Sequence, residues 1–135
     1  MSQTVVVPSA AVPSRGRNIT AWVLAALLAV AFLGAGGAKL AGVPMMVQSF
    51  DQIGLGQWFR IVTGLVEIAG AVALLVPGYA FFGAVWLSAT MVGAILAHLL
   101  VLPTPAAPAL VLLVLSAAVA WLRRDQLARA VARLR

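Results

Sequence analysis

The chain has 135 residues, of which 64% are hydrophobic and 9% are charged, whereas a soluble domain carries about 25% charged residues. Too few polar side chains are present to cover a water-exposed surface, so we expect an integral membrane protein in contact with the lipid bilayer. The net charge of +6 does not indicate nucleic-acid binding, because most basic residues flank the apolar stretches, and the chain has no cysteine for thiolate, disulfide or iron–sulfur chemistry.

Residues 1–18 combine Ser, Pro, Val and Thr and end in the sequence RGRN, and we expect a disordered cytoplasmic tail. The first apolar run, residues 19–40, is long enough to cross about 30 Å of hydrocarbon at about 1.5 Å per residue. A cleavable signal peptide is the alternative, since basic residues precede an apolar run that ends in small residues. The run is long for a signal peptide, and no secreted domain follows it.

Residues 43–57 are too polar to span a membrane. Apolar residues recur at helical spacing between polar ones, Pro44 suits a first turn, and Gly54 or Gly56 suits an end. The segment predicts a short helix at the membrane interface.

The next apolar stretch, residues 61–102, is too long for one crossing and is divided by Pro77-Gly78. The sequence PTPAAP at 103–108 predicts the following turn. The remaining predicted spans are 58–76, 79–102 and 106–122.

Residues 123–135 form a basic tail in which Leu127, Val131 and Leu134 share one helical face. Two interpretations stay open. One is an amphipathic helix that rests on an anionic leaflet, where each basic residue contributes about 1 kcal/mol. The other is a frayed tail that only sets topology.

The distribution of basic residues predicts the orientation. Four spans place both termini on one side of the membrane, and seven of the nine Lys and Arg residues lie in those termini. The positive-inside rule then places both termini in the cytoplasm, with Trp22 and Trp121 at the inner interface and Trp58 at the outer one. Alanine richness and the preference for Arg over Lys favour a bacterial source, so we expect the bacterial inner membrane.

Small residues are frequent in the first three spans, and in lipid they let helix backbones approach closely. The predicted fold class is all-α. It is a four-helix transmembrane bundle over residues 19–122, in up-down order, with a short interfacial helix after the first span.

Polar residues within or beside these spans are the candidate functional groups. An intramembrane carboxylate such as Glu67 normally faces the bundle interior and is a functional candidate. Lys39, Glu67 and His98 are expected to converge on the outer half of the bundle, and Thr63 could hydrogen-bond the carboxylate. The predicted ligand site consists of Lys39, Arg60, Thr63, Glu67 and His98. The structural alternative is that Glu67 pairs with Lys39 or His98 to tie helices together, while Arg60 anchors its span.

No catalytic or metal motif accompanies these residues. One His and one Glu fall short of a usual metal site, and there is no Ser-His-Asp order, HExxH motif or phosphate loop. Met45-Met46 is better explained as a membrane contact than as a soft metal ligand. We therefore predict no catalytic residue and no metal, and the sequence leaves open whether the chain acts within an enzyme.

Several short segments occur in a recognisable order: GAGGAKL at 34–40, FDQIGLGQWFR at 50–60, GLVEIAGAVALLVP at 64–77, and the late His98. Together they resemble the DoxX-like family of small membrane proteins over roughly residues 20–120. The resemblance implies a four-helix membrane fold with Lys39, Glu67 and His98 at recurrent polar positions. The family takes its name from a membrane subunit of a thiosulfate:quinone oxidoreductase, and some distant relatives act as assembly factors for membrane proteins. Family roles that need a redox-active thiol are not expected here.

Two functional hypotheses follow. The first is an accessory subunit that binds a lipophilic ligand such as a quinone between the helices, with His98 donating to a quinone carbonyl and Glu67 exchanging a proton. The second is a scaffold or assembly factor whose small-residue faces dock on another membrane protein or on a second copy of the chain. A proton-coupled transporter is weaker, because four short helices make a small pore.

Overall fold

Helices make up almost all of the structure, a computed structural model that describes residues 12–135. Their bounds are α1 (Arg15–Ala41), α2 (Pro44–Ile53), α3 (Gln57–Leu75), α4 (Ala80–Leu100), α5 (Ala107–Leu122) and α6 (Arg124–Arg133). The predicted spans agree with α1, α3, α4 and α5 to within two residues at every boundary except the start of α1. That helix begins before residue 19 because Ser14 caps it: the Ser14 hydroxyl accepts the Arg17 backbone N–H at 3.2 Å. Residues 1–11 of the predicted disordered tail lie outside the described residues.

Three helices, α1, α3 and α4, are each long and apolar enough to cross a membrane. Helix α5 has 16 residues and qualifies only together with α6, from which it is bent by 51°. Residues 12–135 therefore contain three or four candidate spans and no strand. The prediction of an all-α transmembrane fold is confirmed.

Four helices pack around one core. Helix α3 packs against α1 and α4, and α5 closes the group by contacting both α4 and α1. The largest fully buried apolar side chains are Phe32, Leu28, Leu74, Leu87 and Val119. Large apolar side chains such as Leu27 and Val30 remain exposed on the outward faces, as contact with lipid requires.

The bundle has two distinct ends. The basic end contains the start of α1, the turn between α3 and α4 at residues 76–79, and the junction of α5 with α6. The α2 end contains the end of α1, helix α2, the start of α3 and the loop at 101–106. Trp22 and Trp121 lie at the basic end and Trp58 at the α2 end; that these ends are the inner and outer membrane interfaces stays a prediction.

Helix α2 is capped at its C-terminus by Gly54, whose φ of 82° is left-handed and is readily adopted by glycine. The Phe50 ring is buried and packs edge-to-face against the Phe59 ring, with the ring centroids 5.7 Å apart. This contact holds α2 against α3. The predicted short helix is confirmed, and its place at a membrane interface stays a prediction. Residues 124–133 form a helix, α6, and its contact with an anionic leaflet stays a prediction.

Candidate functional site

An ion pair joins two helices that can each cross a membrane. The Lys39 ammonium of α1 donates to Oε2 of Glu67 of α3 at 3.0 Å. The Glu67 side chain is 4% exposed and that of Lys39 is 13% exposed. The carboxylate therefore lies inside the bundle, whereas the lysine lies nearer its surface. Of the two partners that the sequence allowed for Glu67, the structure pairs it with Lys39.

The ion pair depends on a close approach of α1 and α3. A Cβ atom at Gly36 would lie 2.8 Å from the carbonyl oxygen of Gly64, and a Cβ at Gly64 would lie 3.0 Å from that of Gly36. Only glycine fits at such distances, so the two backbones approach more closely than larger residues would permit. In these antiparallel helices Lys39 and Glu67 lie on opposite sides of the glycine contact, each about one turn from it. Helical side chains lean toward the N-terminus of their own helix, so these two lean toward each other. The same contact therefore brings the ammonium and carboxylate within reach.

Arg60 connects this pair to the α2 end. Its Nη1 donates to the backbone carbonyl of Lys39, one of the last carbonyls of α1, which also accepts the Gly42 backbone N–H at 3.3 Å. Its Nε donates to Oε1 of Gln57 at 2.7 Å, and Nε2 of Gln57 donates to Oδ1 of Asp51 at 2.7 Å. A chain of polar contacts thus extends from α2 to the residue that pairs with Glu67.

Among the hydrogen bonds of residues 12–135, neither Thr63 nor His98 is bonded to the Glu67 carboxylate. The Thr63 hydroxyl donates to the carbonyl four residues earlier in its own helix, at 2.8 Å, a common bond for helical threonine. Nδ1 of His98 lies 2.8 Å from the hydroxyl oxygen of Thr104 and 3.2 Å from its carbonyl oxygen. The predicted convergence of His98 with Glu67 is therefore corrected: His98 contacts the loop after α4.

The register between α3 and α4 explains this correction. Gly83 packs directly beside Gly70, and antiparallel helices in this register place Glu67 level with residues 86–88. His98 lies about ten residues further along α4, roughly 15 Å at ~1.5 Å per residue. That separation exceeds the reach of the two side chains.

A second polar cluster lies at the basic end. Asp125 of α6 accepts from Nη2 of Arg17 at 3.0 Å on one carboxylate oxygen. Its other oxygen forms an ion pair with Nη2 of Arg129 at 3.2 Å. Nε of Arg17 also donates to the carbonyl of Leu122 at 2.8 Å, at the end of α5. These contacts fix the bend between α5 and α6 and tie both helices to α1.

Arg123, at the junction of α5 and α6, is only 6% exposed. Its Nη1 donates to Oδ1 of Asn18 at 2.7 Å, and its guanidinium lies 5.5 Å from the centre of the Trp22 ring. Its Nε is buried without a hydrogen-bond partner among residues 12–135. Burial is the main cause that lowers the pKa of Arg123. Arg123, Asn18, Trp22 and Gln126 line a cavity of about 190 Å³.

Sequence reasoning missed this second cluster, because it treated the terminal arginines as topology signals. The available signal was the placement of Trp22 and Trp121 at one end of the bundle, beside Arg17 and Arg123. Aromatic and basic residues that meet at one end of a bundle can pack against one another as well as against lipid.

The fold and the ion pair define a small α-helical membrane protein with charged residues between its spanning helices. The model of the DoxX-like family matches residues 23–122, and the chain belongs to this family, as the resemblance predicted. The uncharacterized protein YdgD of Bacillus subtilis (strain 168) is 41% identical over 76 residues, which are 53% of this chain and 67% of that protein. No solved structure matches the chain. Helix α6 and the first turns of α1 lie outside the family match.

Proposed function

We propose that this DoxX-like protein is an accessory membrane subunit that binds a lipophilic ligand with carbonyl groups, of the quinone class, beside Lys39 and Glu67. The observation that carries the proposal is the ion pair itself, which lies between helices that can span a membrane. Ionisable groups in that environment are energetically costly and commonly mark a functional site.

The exposure of Lys39 and Glu67 suits a ligand that carries hydrogen-bond acceptors. A lysine ammonium carries three N–H donors, and Glu67 accepts one of them. Lys39 can therefore donate to a ligand carbonyl at the bundle surface while it keeps its ion pair. Glu67, buried behind it, could give or take a proton when the ligand changes redox state. The electrons would come from a partner redox protein.

Retention of decylubiquinone by the protein purified in mild detergent tests this proposal. The informative variant is the double substitution Lys39→Met with Glu67→Gln, which removes both charges and leaves neither unpaired. We expect quinone retention to fall about tenfold, because the double variant loses a charge-assisted hydrogen bond to the ligand. His98→Ala is the matched control and should retain the quinone, because His98 lies away from the pair. Unchanged retention in the double variant would contradict the proposal.

A second candidate function is docking on another membrane protein, or on a second copy of the chain, as a scaffold or assembly factor. The observation in its favour is on α1, where Gly34 and Gly37 face outward and a Cβ at either would meet nothing within 4 Å. Outward glycines allow a partner helix to approach closely. Gly64, in contrast, is already used within the bundle against Gly36.

Substitution by leucine separates this docking function from ligand binding. Gly34→Leu should remove a protein that co-purifies from native membranes. Gly93→Leu makes the same change at an open position on α4 and should not. A protein that purifies without any partner, or a partner lost equally from both variants, would argue against docking through α1.

We also propose that α5 is the fourth span and that both termini lie in the cytoplasm of a bacterium. The support is the excess of basic residues at the end that holds α6 and the start of α1. Green fluorescent protein fused after residue 135 should fluoresce, and alkaline phosphatase fused in the 101–106 loop should be active. The opposite pair of results would contradict the orientation.

A further inference from the structure

We propose that the cavity at the basic end binds a phosphate-ester anion, and that its usual source is the headgroup of an anionic phospholipid. This site is separate from the Lys39–Glu67 pair, which lies at the other half of the bundle. The inference does not depend on the proposed quinone function.

The first observation is a buried cation, Arg123, that forms no direct ion pair among residues 12–135. Arg123 is 6% exposed, and both carboxylate oxygens of the neighbouring Asp125 are occupied by Arg17 and Arg129. The contacts of Arg123 are neutral ones, to the Asn18 amide and the Trp22 ring. Asp125 attracts Arg123, but Arg17 and Arg129 share that single carboxylate and repel Arg123. Three arginines around one carboxylate leave a net positive charge, so an anion that reached the buried guanidinium would be bound favourably.

The second observation is the hydrogen-bonding capacity of the two amides in the cavity wall. The Asn18 oxygen accepts from Arg123, and the Gln126 oxygen accepts from the backbone N–H of Phe81 at 2.8 Å. Each amide nitrogen remains a donor that makes no hydrogen bond within residues 12–135. Together with the guanidinium, the polar part of the wall offers donors, which match the oxygens of a phosphate group.

The remainder of the wall favours a lipid over a free ion. Trp22, Ala25, Leu74 and Ala80 give the cavity an apolar side. A phosphodiester with attached glycerol and acyl chains would use both sides, with the phosphate at Arg123 and the apolar part against Trp22. At the end of a transmembrane bundle the headgroups are within reach, and aromatic side chains commonly lie at that level.

Two isosteric substitutions test the site while they preserve the contacts that hold the fold. Asn18→Asp keeps the oxygen that accepts from Arg123, and Gln126→Glu keeps the oxygen that accepts from Phe81. Each adds a negative charge to the cavity wall and should repel an anion. Arg133→Gln is the matched control, because it changes the net charge by the same amount on the exposed part of α6. Thermal unfolding should show all three variants folded.

The measurement is native mass spectrometry of the full chain titrated with phosphatidylglycerol, with diacylglycerol as the phosphate-free comparison and inorganic phosphate as a competitor. We expect the wild-type protein and Arg133→Gln to retain phosphatidylglycerol at least about tenfold better than Asn18→Asp or Gln126→Glu. If inorganic phosphate itself binds and displaces the lipid, the site is confirmed with free phosphate as its source. If it does neither, the lipid headgroup is the source. Phosphatidylglycerol retention that is equal in all variants, or no better than that of diacylglycerol, would overturn the proposal.

Discussion

Removing the two partners of the Lys39–Glu67 pair one at a time should destabilise the protein unequally. Lys39→Met leaves a carboxylate that is 4% exposed without its cation. Breaking a buried pair in this way costs about 3–5 kcal/mol, and we expect about 3 kcal/mol here because the carboxyl group can take up a proton. Glu67→Gln leaves a lysine that is 13% exposed and can extend toward the headgroups.

The expected loss for Glu67→Gln is correspondingly smaller, about 1–2 kcal/mol, in the range of polar contacts between membrane helices. The double variant has neither charge and should lie within about 1 kcal/mol of the wild-type protein, since replacing a whole buried pair is often nearly neutral. The free energies should therefore be strongly non-additive, as expected for groups in direct contact.

Equilibrium unfolding in mixed micelles, followed by circular dichroism, would give the three free energies. An Arg133→Gln variant, changed at an exposed position, controls for the effect of net charge. The reasoning is refuted if Glu67→Gln is more destabilising than Lys39→Met, or if the effects of the single substitutions simply add in the double variant.

Three further predictions concern contacts that hold the helices together. Gly36→Ala places a Cβ 2.8 Å from a backbone oxygen and should cost about 1–3 kcal/mol, whereas Gly37→Ala, in open space, should be nearly neutral; equal melting temperatures would contradict this. Asp125→Asn weakens two ion pairs of α6 and should speed amide hydrogen exchange in residues 124–133 without unfolding the bundle; unchanged exchange would show that other contacts hold α6. Trp86→Phe loses the 3.0 Å bond from Nε1 to the Val66 carbonyl and should cost about 0.5–1.5 kcal/mol in chemical unfolding; a gain in stability would count against that bond.

The fold could be predicted from the sequence because its signals are local. Three such signals are the apolar runs of span length, the Pro77-Gly78 turn, and the glycine end of α2 predicted at Gly54 or Gly56. The structure has helices at those runs, a turn at Pro77-Gly78, and Gly54 as the cap of α2. Helix α1 begins at Arg15, four residues before the predicted span, because it is capped by Ser14 and apolar content does not reveal a cap. A polar helical turn that precedes a span is recognised by its cap and not by hydropathy.

The candidate site was only partly predictable, because it depends on the register between helices. Glu67 could be identified because a carboxylate within a membrane is energetically unfavourable. Lys39 was a plausible partner because it was predicted near the end of the first span. The place of His98 is decided by how Gly70 and Gly83 set α3 against α4. A displacement of several residues in that register would leave the sequence pattern of each helix unchanged, so no single-helix signal could reveal it.

The two polar sites share a dependence on α1. At the basic end Arg17 and Asn18 of α1 bind α6 and Arg123, and toward the α2 end Gly36 and Lys39 bind α3. The outward face of the same helix carries the open glycines proposed for docking. A ligand bound at either site could therefore shift α1, the helix that a docking protein would contact. If α1 moves as a rigid element, ligand binding and partner docking should be thermodynamically linked, each changing the affinity of the other by the same factor.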